Sequence, residues 1–124
     1  SSTTRAPNII FNYPAAGWGQ VVSPDAVALN TWHYLVATYN GTTLRLYVDS
    51  IDKGNVAATY TAPTSFDFGR REGGSLQFQG MIDDVRIYNR ALTANEIQND
   101  MNTPIGVIPT GLAANMSVTV ATQP

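Results

Sequence analysis

Hydrophobic and polar residues alternate most regularly in the stretch TTLRLYVDS, residues 42–50. Leu44, Leu46 and Val48 share one parity and polar or amphipathic residues fill the other, which is the period-2 pattern of a half-buried β-strand. The preceding stretch TWHYLVATY, residues 31–39, carries large apolar groups at both parities and predicts a strand covered on both faces. Asn40-Gly41 between them favours a type I′ turn, because both residues tolerate positive φ. Residues 31–50 are therefore predicted to form a β-hairpin.

Shorter β-rich stretches recur along the rest of the chain and are separated by Gly and Pro. The predicted strands are NIIFNY (8–13), NVAATYT (55–61), SLQFQ (75–79), MIDDVRIY (81–88) and MSVTVAT (116–122). The stretch AAGWGQ around Trp18 is interpreted as a loop with an aromatic residue at its tip. Many short strands at regular spacing predict an all-β fold, an antiparallel two-sheet sandwich or jelly roll.

One short helix is predicted to follow the last of these strands before residue 100. In LTANEI, residues 92–97, Thr93 and Glu96 have the spacing of a capping box, while Leu92 and Ile97 have that of a hydrophobic staple. Pro104 lies shortly beyond, so we expect the helix to be brief.

Composition and charge narrow the function classes. The 124 residues are enough for one domain, and a charged fraction of 13% suits a β-rich extracellular module. A net charge of −2 argues against a nucleic-acid partner. The chain has no cysteine, which excludes disulfides, thiol catalysis and Cys-based metal sites. No apolar stretch approaches the roughly 18 residues that span a bilayer, so we expect no membrane insertion.

Asp83 and Asp84 are adjacent acidic residues in the predicted strand 81–88. Successive side chains of a strand point to opposite faces, so the two carboxylates cannot converge on one substrate as a glycosidase pair does. Asp83 shares its parity with apolar residues and is expected to point inward. It is interpreted either as a structural hydrogen-bond anchor or as a Ca²⁺ ligand. Further ligands would then come from backbone carbonyls and from Asp49, Asp52 or Asp67.

Aromatic residues supply the candidate ligand contacts. Trp18, and more weakly Tyr13 and Tyr60, are predicted to bind a ligand, because an exposed aromatic face suits the apolar side of a sugar ring. The alternative for Trp18 is a plug folded over one end of the core. A second set of aromatics is assigned to the sandwich interior or its cover: Trp32, Tyr34, Tyr39 and Phe78. His33, the single histidine, is interpreted as structural.

Two blocks of the sequence resemble a known family. They are WHYLVATYNGTTLRLYVD (32–49) and FQGMIDDVRIYNRALTANEI (78–97). Both resemble the laminin-G-like domains of the concanavalin A-like lectin/glucanase jelly rolls, of the type found in secreted bacterial proteins. The resemblance implies a two-sheet sandwich that binds glycans or matrix partners without catalysis, often beside a calcium ion near the position of Asp83. Ser50 departs from the family pattern, which usually has Gly after the position of Asp49.

The resemblance also implies a domain organisation. We expect an N-terminal linker over residues 1–7, a jelly roll over 8–101, and a Pro/Gly linker with a terminal strand over 102–124. Few residues precede Trp32, so the domain is expected to be incomplete at its N-terminal side and the chain to be a piece of something larger. Strand edges left unpaired in this way tend to recruit another chain.

The predicted function is a non-catalytic carbohydrate-binding module of a secreted or cell-surface protein, with a glycan or an extracellular protein as partner. The alternative is a protein-binding adhesive or assembly domain that self-associates through open sheet edges by strand exchange. A fragment of a glycan-cleaving enzyme is a third class. It would require facing carboxylates in a spacing such as Glu-x-Asp-x-x-Glu, which the sequence lacks.

Overall fold

The computed structural model of the chain describes residues 4–6, 8–13, 17–59, 68–70 and 77–106, and at 4–5, 8–13 and 17–19 it describes the backbone alone. It shows the predicted all-β antiparallel architecture with one short helix. The strands are β1 (Thr4–Arg5), β2 (Asn8–Tyr13), β3 (Gly17–Val22), β4 (Val27–Ala28), β5 (Leu35–Tyr39), β6 (Thr43–Val48) and β7 (Ile51–Ala57), and the helix is α1 (Ala94–Met101).

A three-stranded sheet in the order β5-β6-β7 forms the centre of the described structure. β5 and β6 pair antiparallel with Leu35 opposite Val48 and Tyr39 opposite Leu44, so the predicted hairpin is confirmed. Its first strand begins at Leu35 rather than Thr31. β7 adds to the other side of β6 and begins before the predicted strand 55–61.

The two turns of this sheet differ from the predicted one. Asn40 does not enter a type I′ turn: its N–H donates to the Thr43 carbonyl and its side-chain oxygen accepts the Thr43 N–H at 2.8 Å. Gly41, with φ of 99°, is then the first central residue, where a positive φ calls for glycine. The type I′ geometry occurs instead between β6 and β7, where Asp49 and Ser50 have φ of 53° and 62°.

The central sheet is covered on both faces. We call the face that carries Leu44, Leu46 and Val48 the hairpin-covered face, since Val21 of β3 packs against it together with Val27 of β4. The opposite, helix-covered face carries Val36 and Tyr47, and it packs against Leu92 and the fully buried Ile97 of α1. The two-sided covering falls on β6, for which alternation predicted one buried face. The prediction of a strand covered on both faces was wrong for β5, because β5 is an outer strand of the sheet and its Leu35 is 57% exposed.

The stretch around Trp18 is a strand, and its interpretation as a loop was wrong. β2 and β3 pair antiparallel, with Gly17 opposite Tyr13 and Gly19 opposite Phe11. A glycine-rich strand is tolerated where an aromatic residue lies across from the glycine. These aromatic partners lie in the preceding strand, outside the glycine-rich stretch itself. The residues around Trp18 taken alone therefore favoured a loop. β1, within the segment assigned to an N-terminal linker, pairs with β4.

Residues 77–88 form no strand, contrary to the prediction for 81–88 and for the described end of 75–79. Asp84 has φ of 52°, so the backbone does not continue as a regular pleat and the inward orientation expected for Asp83 is not present. Phe78 is 59% exposed and Trp32 is 60% exposed, so of the two places predicted for them, the sandwich interior or its cover, the interior was wrong. A strand needs a ladder partner, and none of the described residues provides one for this segment.

The remaining predicted elements lie outside the described residues, namely the strand 116–122 and the end of the predicted strand 55–61 from Tyr60 onward. Among the residues that the structure does describe, no helix has the length and apolar character that a membrane crossing requires.

Candidate functional site

The backbone brings two of the predicted ligand contacts into one hairpin. Tyr13 ends β2 opposite Gly17, and Trp18 of β3 lies opposite Asn12, one register position away. The β2–β3 hairpin belongs to the layer over the hairpin-covered face, to which its Val21 contributes. Tyr60, the third predicted contact, lies outside the described residues. Tyr13 and Trp18 therefore remain candidate contacts on one structural unit.

Asp83 and Asp84 are both exposed and both bond to backbone. An Asp83 carboxylate oxygen accepts the Asp84 N–H at 2.8 Å, and an Asp84 carboxylate oxygen accepts the Ile105 N–H at 3.2 Å. The second bond joins Ile105, which follows α1, to Asp84, which precedes α1. These contacts stabilise the positive φ of Asp84 and hold two distant parts of the chain together.

A calcium ion at Asp83 would need six to eight oxygen ligands. Within the described ranges, no group of three or more His, Cys, Asp or Glu side chains is arranged to hold a metal ion. Asp83 also uses one oxygen for the Asp84 N–H. The described residues thus do not fit a calcium site at Asp83, and calcium dependence stays a prediction.

His33 and Asp49 form the most connected polar cluster on the hairpin-covered side. Nδ1 of His33 lies 2.9 Å from Oδ2 of Asp49, and Nε2 lies 3.2 Å from the Ala28 carbonyl oxygen. Both partners can only accept, so the ring satisfies both contacts when both nitrogens carry protons. The cluster joins the end of β4 to the β6–β7 turn, which agrees with the structural interpretation of His33.

Asp49 has a second tie in the same cluster. Its Oδ1 accepts the Tyr34 N–H at 2.9 Å, while its own N–H donates to the Tyr34 carbonyl at 2.8 Å. Burial of the carboxylate opposes its ionisation, but the hydrogen bonds from His33 and Tyr34 outweigh this, and the pKa of Asp49 lies below its usual value. Sequence analysis named Asp49 only as a calcium ligand and missed this role.

A third cluster attaches α1 to the residues before it. Arg86 donates to the carbonyl oxygens of Asp100 and Thr103 at the end of the helix, where a cation also complements the helix dipole. The Tyr88 hydroxyl donates to the Asp100 carboxylate at 2.7 Å. Burial, followed by this hydrogen bond, raises the pKa of Tyr88. At the other end, the predicted capping box of Thr93 and Glu96 is confirmed.

Every carboxylate that the structure describes accepts a hydrogen bond within the fold. Of the nine acidic residues, Asp67 and Glu72 lie outside the described ranges, which leaves seven. These seven are Asp25, Asp49, Asp52, Asp83, Asp84, Glu96 and Asp100. The described acidic groups thus each contribute a hydrogen-bond acceptor to the fold.

These elements define an all-β jelly-roll sandwich of the laminin-G type. The chain belongs to the concanavalin A-like lectin/glucanases superfamily, since the family model of that description matches residues 2–98.

Two more specific likenesses accompany the family match. Mouse usherin (Mus musculus) is 26% identical over an alignment that covers 63% of this chain and 2% of usherin. The crystal structure of residues 221–444 of an S-layer domain-containing protein from Clostridium thermocellum has a TM-score of 0.54 and 24% identity, covering 76% of this chain and 50% of that one. At that identity the second likeness shows the fold alone. The chain spans half or less of each of these proteins.

Proposed function

We propose that this domain is a non-catalytic carbohydrate-recognition module of a secreted or cell-surface protein. The observation that carries the proposal is membership in a superfamily described as lectins and glucanases, over residues 2–98. Both activities require binding of a sugar chain. Recognition is favoured over hydrolysis because the sequence has no Glu-x-Asp-x-x-Glu spacing that would place facing carboxylates on one strand.

The proposed contact surface is the β2–β3 hairpin. Trp18 and Tyr13 occupy adjacent register positions of one ladder, so they belong to opposite faces of the hairpin. Trp18 is the proposed contact, because it shares its parity in β3 with the exposed Gln20 and Val22 and an aromatic ring stacks on the apolar face of a sugar. A surface position in the layer outside the central sheet leaves room for an extended glycan. Calcium enters this proposal only as a dependence to be measured.

A glycan array probed with the labelled chain, with and without EDTA, tests the proposal. We expect binding to a restricted set of glycans and a loss of about tenfold or more in affinity on Trp18→Ala, since one aromatic contact of this kind contributes about 1–2 kcal/mol. Trp32→Ala is the matched control, because it removes a Trp that is exposed outside β2 and β3. Absence of any bound glycan would contradict the function, and loss on Trp32→Ala alone would move the site.

A second candidate function is protein-binding assembly through the sheet edges. In the described structure β5 and β7 are the outer strands of the central sheet. Leu35 at the start of β5 is 57% exposed and Ile51 at the start of β7 is 59% exposed. Sheet edges with exposed apolar side chains favour pairing with another chain. Sedimentation at several protein concentrations separates this candidate from glycan binding.

A further inference from the structure

The helix-covered face of the central sheet is not covered along its whole length. Val36 and Tyr47 lie under Leu92 and Ile97 in one apolar cluster. Towards the β5–β6 turn the same face continues with Thr38 opposite Arg45, and with Thr43. The side chains become polar where the covering segment ends.

A depression of about 180 Å³ lies where the apolar covering of this face ends. The end of the sheet contributes most of its lining and the chain just before α1 contributes the remainder. The lining residues are Thr38, Asn40, Thr43, Arg45, Tyr47, Ala91 and Leu92. It is thus a concave surface with polar groups on the sheet side and apolar groups on the helix side.

Thr38 is the observation that points to a ligand. It is only 9% exposed, yet among the described residues its hydroxyl makes no hydrogen bond. The other buried polar residue, Ser23, bonds the Asp25 carbonyl at 2.8 Å. No fully enclosed polar side-chain atom of the described part lacks a partner, so the Thr38 hydroxyl is accessible, and Thr38 lines the depression. A reachable hydroxyl with no partner in the described part of the protein keeps its donor and its acceptor lone pairs for whatever occupies the depression.

The other polar groups decide the charge of the ligand. The positive charge of Arg45 is offset by its bond to Asp52, so the depression presents no unbalanced cation to a phosphate or carboxylate. Asn40 uses its side-chain oxygen for the N–H groups of Thr42 and Thr43, while its amide nitrogen makes no hydrogen bond within the described part. What remains is a set of neutral hydroxyl and amide groups beside the apolar Ala91 and Leu92.

We propose that this depression binds one uncharged hexopyranose unit of a glycan. The ring hydroxyls would bond the Thr38 and Thr43 hydroxyls and the Asn40 amide, and the C–H face would lie against Leu92. The volume suits one sugar ring, being below the roughly 300–1,000 Å³ of sites for larger ligands. This inference rests on the proposed carbohydrate function. It places a sugar on the face opposite the layer that holds the β2–β3 hairpin.

The test is a titration of the isotope-labelled chain with methyl glycosides of glucose, galactose, mannose and N-acetylglucosamine, followed by amide chemical shifts. For at least one glycoside we expect saturable shifts at Thr38, Asn40 and Thr43, with a dissociation constant on the order of 1 mM. Thr38→Val, which removes the hydroxyl at nearly constant volume, should weaken this binding about tenfold.

Two control variants separate the hydroxyl from the fold. Thr38→Ser keeps a hydroxyl and should bind like the wild type. Thr31→Val makes the same chemical change at an exposed residue outside the depression and should also bind like the wild type. Loss of binding in Thr31→Val, or retention in Thr38→Val, would overturn the assignment.

The outcomes also distinguish this inference from the proposed function. Glycan-array binding with shifts only in β2 and β3, and no effect of Thr38→Val, would overturn the depression as a site while the carbohydrate function stands. No shifts with any glycoside and no array binding would overturn both.

Discussion

At the scale of single residues, Ser50 lies in a backbone conformation that it does not favour. It is the second central residue of the β6–β7 turn, with φ of 62°. Type I′ turns place glycine at this position, because a Cβ atom makes the left-handed region costly by roughly 1–2 kcal/mol. Since glycine also makes the unfolded chain more flexible, we expect Ser50→Gly to raise the free energy of unfolding by about 0.5–1 kcal/mol, measured by urea denaturation.

Asp49, the other central residue of this turn, provides the control. Its φ of 53° is also positive, but its carboxylate bonds His33 and the Tyr34 N–H. Asp49→Gly should therefore destabilise the protein although it relieves the same kind of backbone strain. A Ser50→Gly variant less stable than the wild type would show that backbone strain does not decide the residue preference of this turn. An Asp49→Gly variant as stable as Ser50→Gly would show that the bonds of the Asp49 carboxylate contribute nothing.

The Asp49 carboxylate also gives a pH dependence. Its pKa is lower in the folded protein than in the unfolded chain, so its stabilising contribution is present above the unfolded value of about 3.9 and is lost as pH falls below it. We expect Asp49→Asn to cost about 1 kcal/mol at pH 7, with the difference from wild type shrinking below pH 4. Urea unfolding at pH 7, 4, 3 and 2 measures this.

Asp25→Asn is the comparison for that experiment. Asp25 pairs with Lys53, but its side chain is 69% exposed, and such surface pairs contribute little. We expect a small effect at every pH. A constant difference between Asp49→Asn and wild type down to pH 2 would contradict the role given to the Asp49 carboxylate.

At the scale of elements, α1 depends on its N-terminal cap. The Arg90 guanidinium, followed by the N–H and hydroxyl of Thr93, lowers the pKa of Glu96 to about 2. The contribution of Glu96 should thus be complete above its ordinary value of about 4.3 and disappear as pH falls to about 2. We expect Glu96→Gln to remove this part of the acid dependence of stability, measured by circular dichroism during urea unfolding between pH 5 and 2.

Thr93→Ala separates capping from charge. The Thr93 hydroxyl oxygen accepts the Glu96 N–H, a bond that does not require ionisation. Its removal should cost about 1 kcal/mol, as is typical of an N-cap threonine, and the wild-type acid dependence should persist in reduced form. An acid dependence as steep in Glu96→Gln as in wild type would rule out Glu96 as its source.

Elements whose signals are local were predictable from the sequence. The capping box of α1 and the β5–β6 hairpin each follow from residues within a few positions of one another. The strand at residues 17–22 was not predictable in this way, because it depends on pairing with β2. The prediction of a strand at residues 81–88 was wrong for a related reason, since alternation alone does not supply a partner strand. No local sequence pattern predicted the positive φ of Asp84.

At the scale of the whole molecule, the class of fold was predictable and the location of the site was not. The two sequence blocks around Trp32 and Phe78 were sufficient for the family. The depression at Thr38 arises because Leu92 and Ile97 cover only part of one sheet face. That boundary between covered and uncovered surface is a property of packing between distant elements, and single threonines in a strand carry no signal of it.

The way the hairpin-covered face is covered leads to a prediction about self-association of the chain. Val48 of β6 is buried beneath Val21, whereas its ladder neighbours on either side, Leu35 and Ile51, are more than half exposed. The covering layer thus protects the middle strand and leaves apolar side chains at both edges. If the second candidate function holds, the chain should show a sedimentation coefficient that rises with concentration, since exposed apolar edges recruit further strands.

Lysine at both edges should abolish that association. Leu35→Lys with Ile51→Lys places charges where natural edge strands often carry them, and both side chains are already exposed enough that folding should persist, which circular dichroism checks. Met101→Lys with Ile105→Lys, which adds the same two charges at exposed residues in and just after α1, should associate like the wild type. A wild-type chain that sediments as a monomer at every concentration would eliminate edge-mediated self-assembly. A chain that associates equally in all three forms would assign the interface elsewhere, because neither sheet edge could then form it.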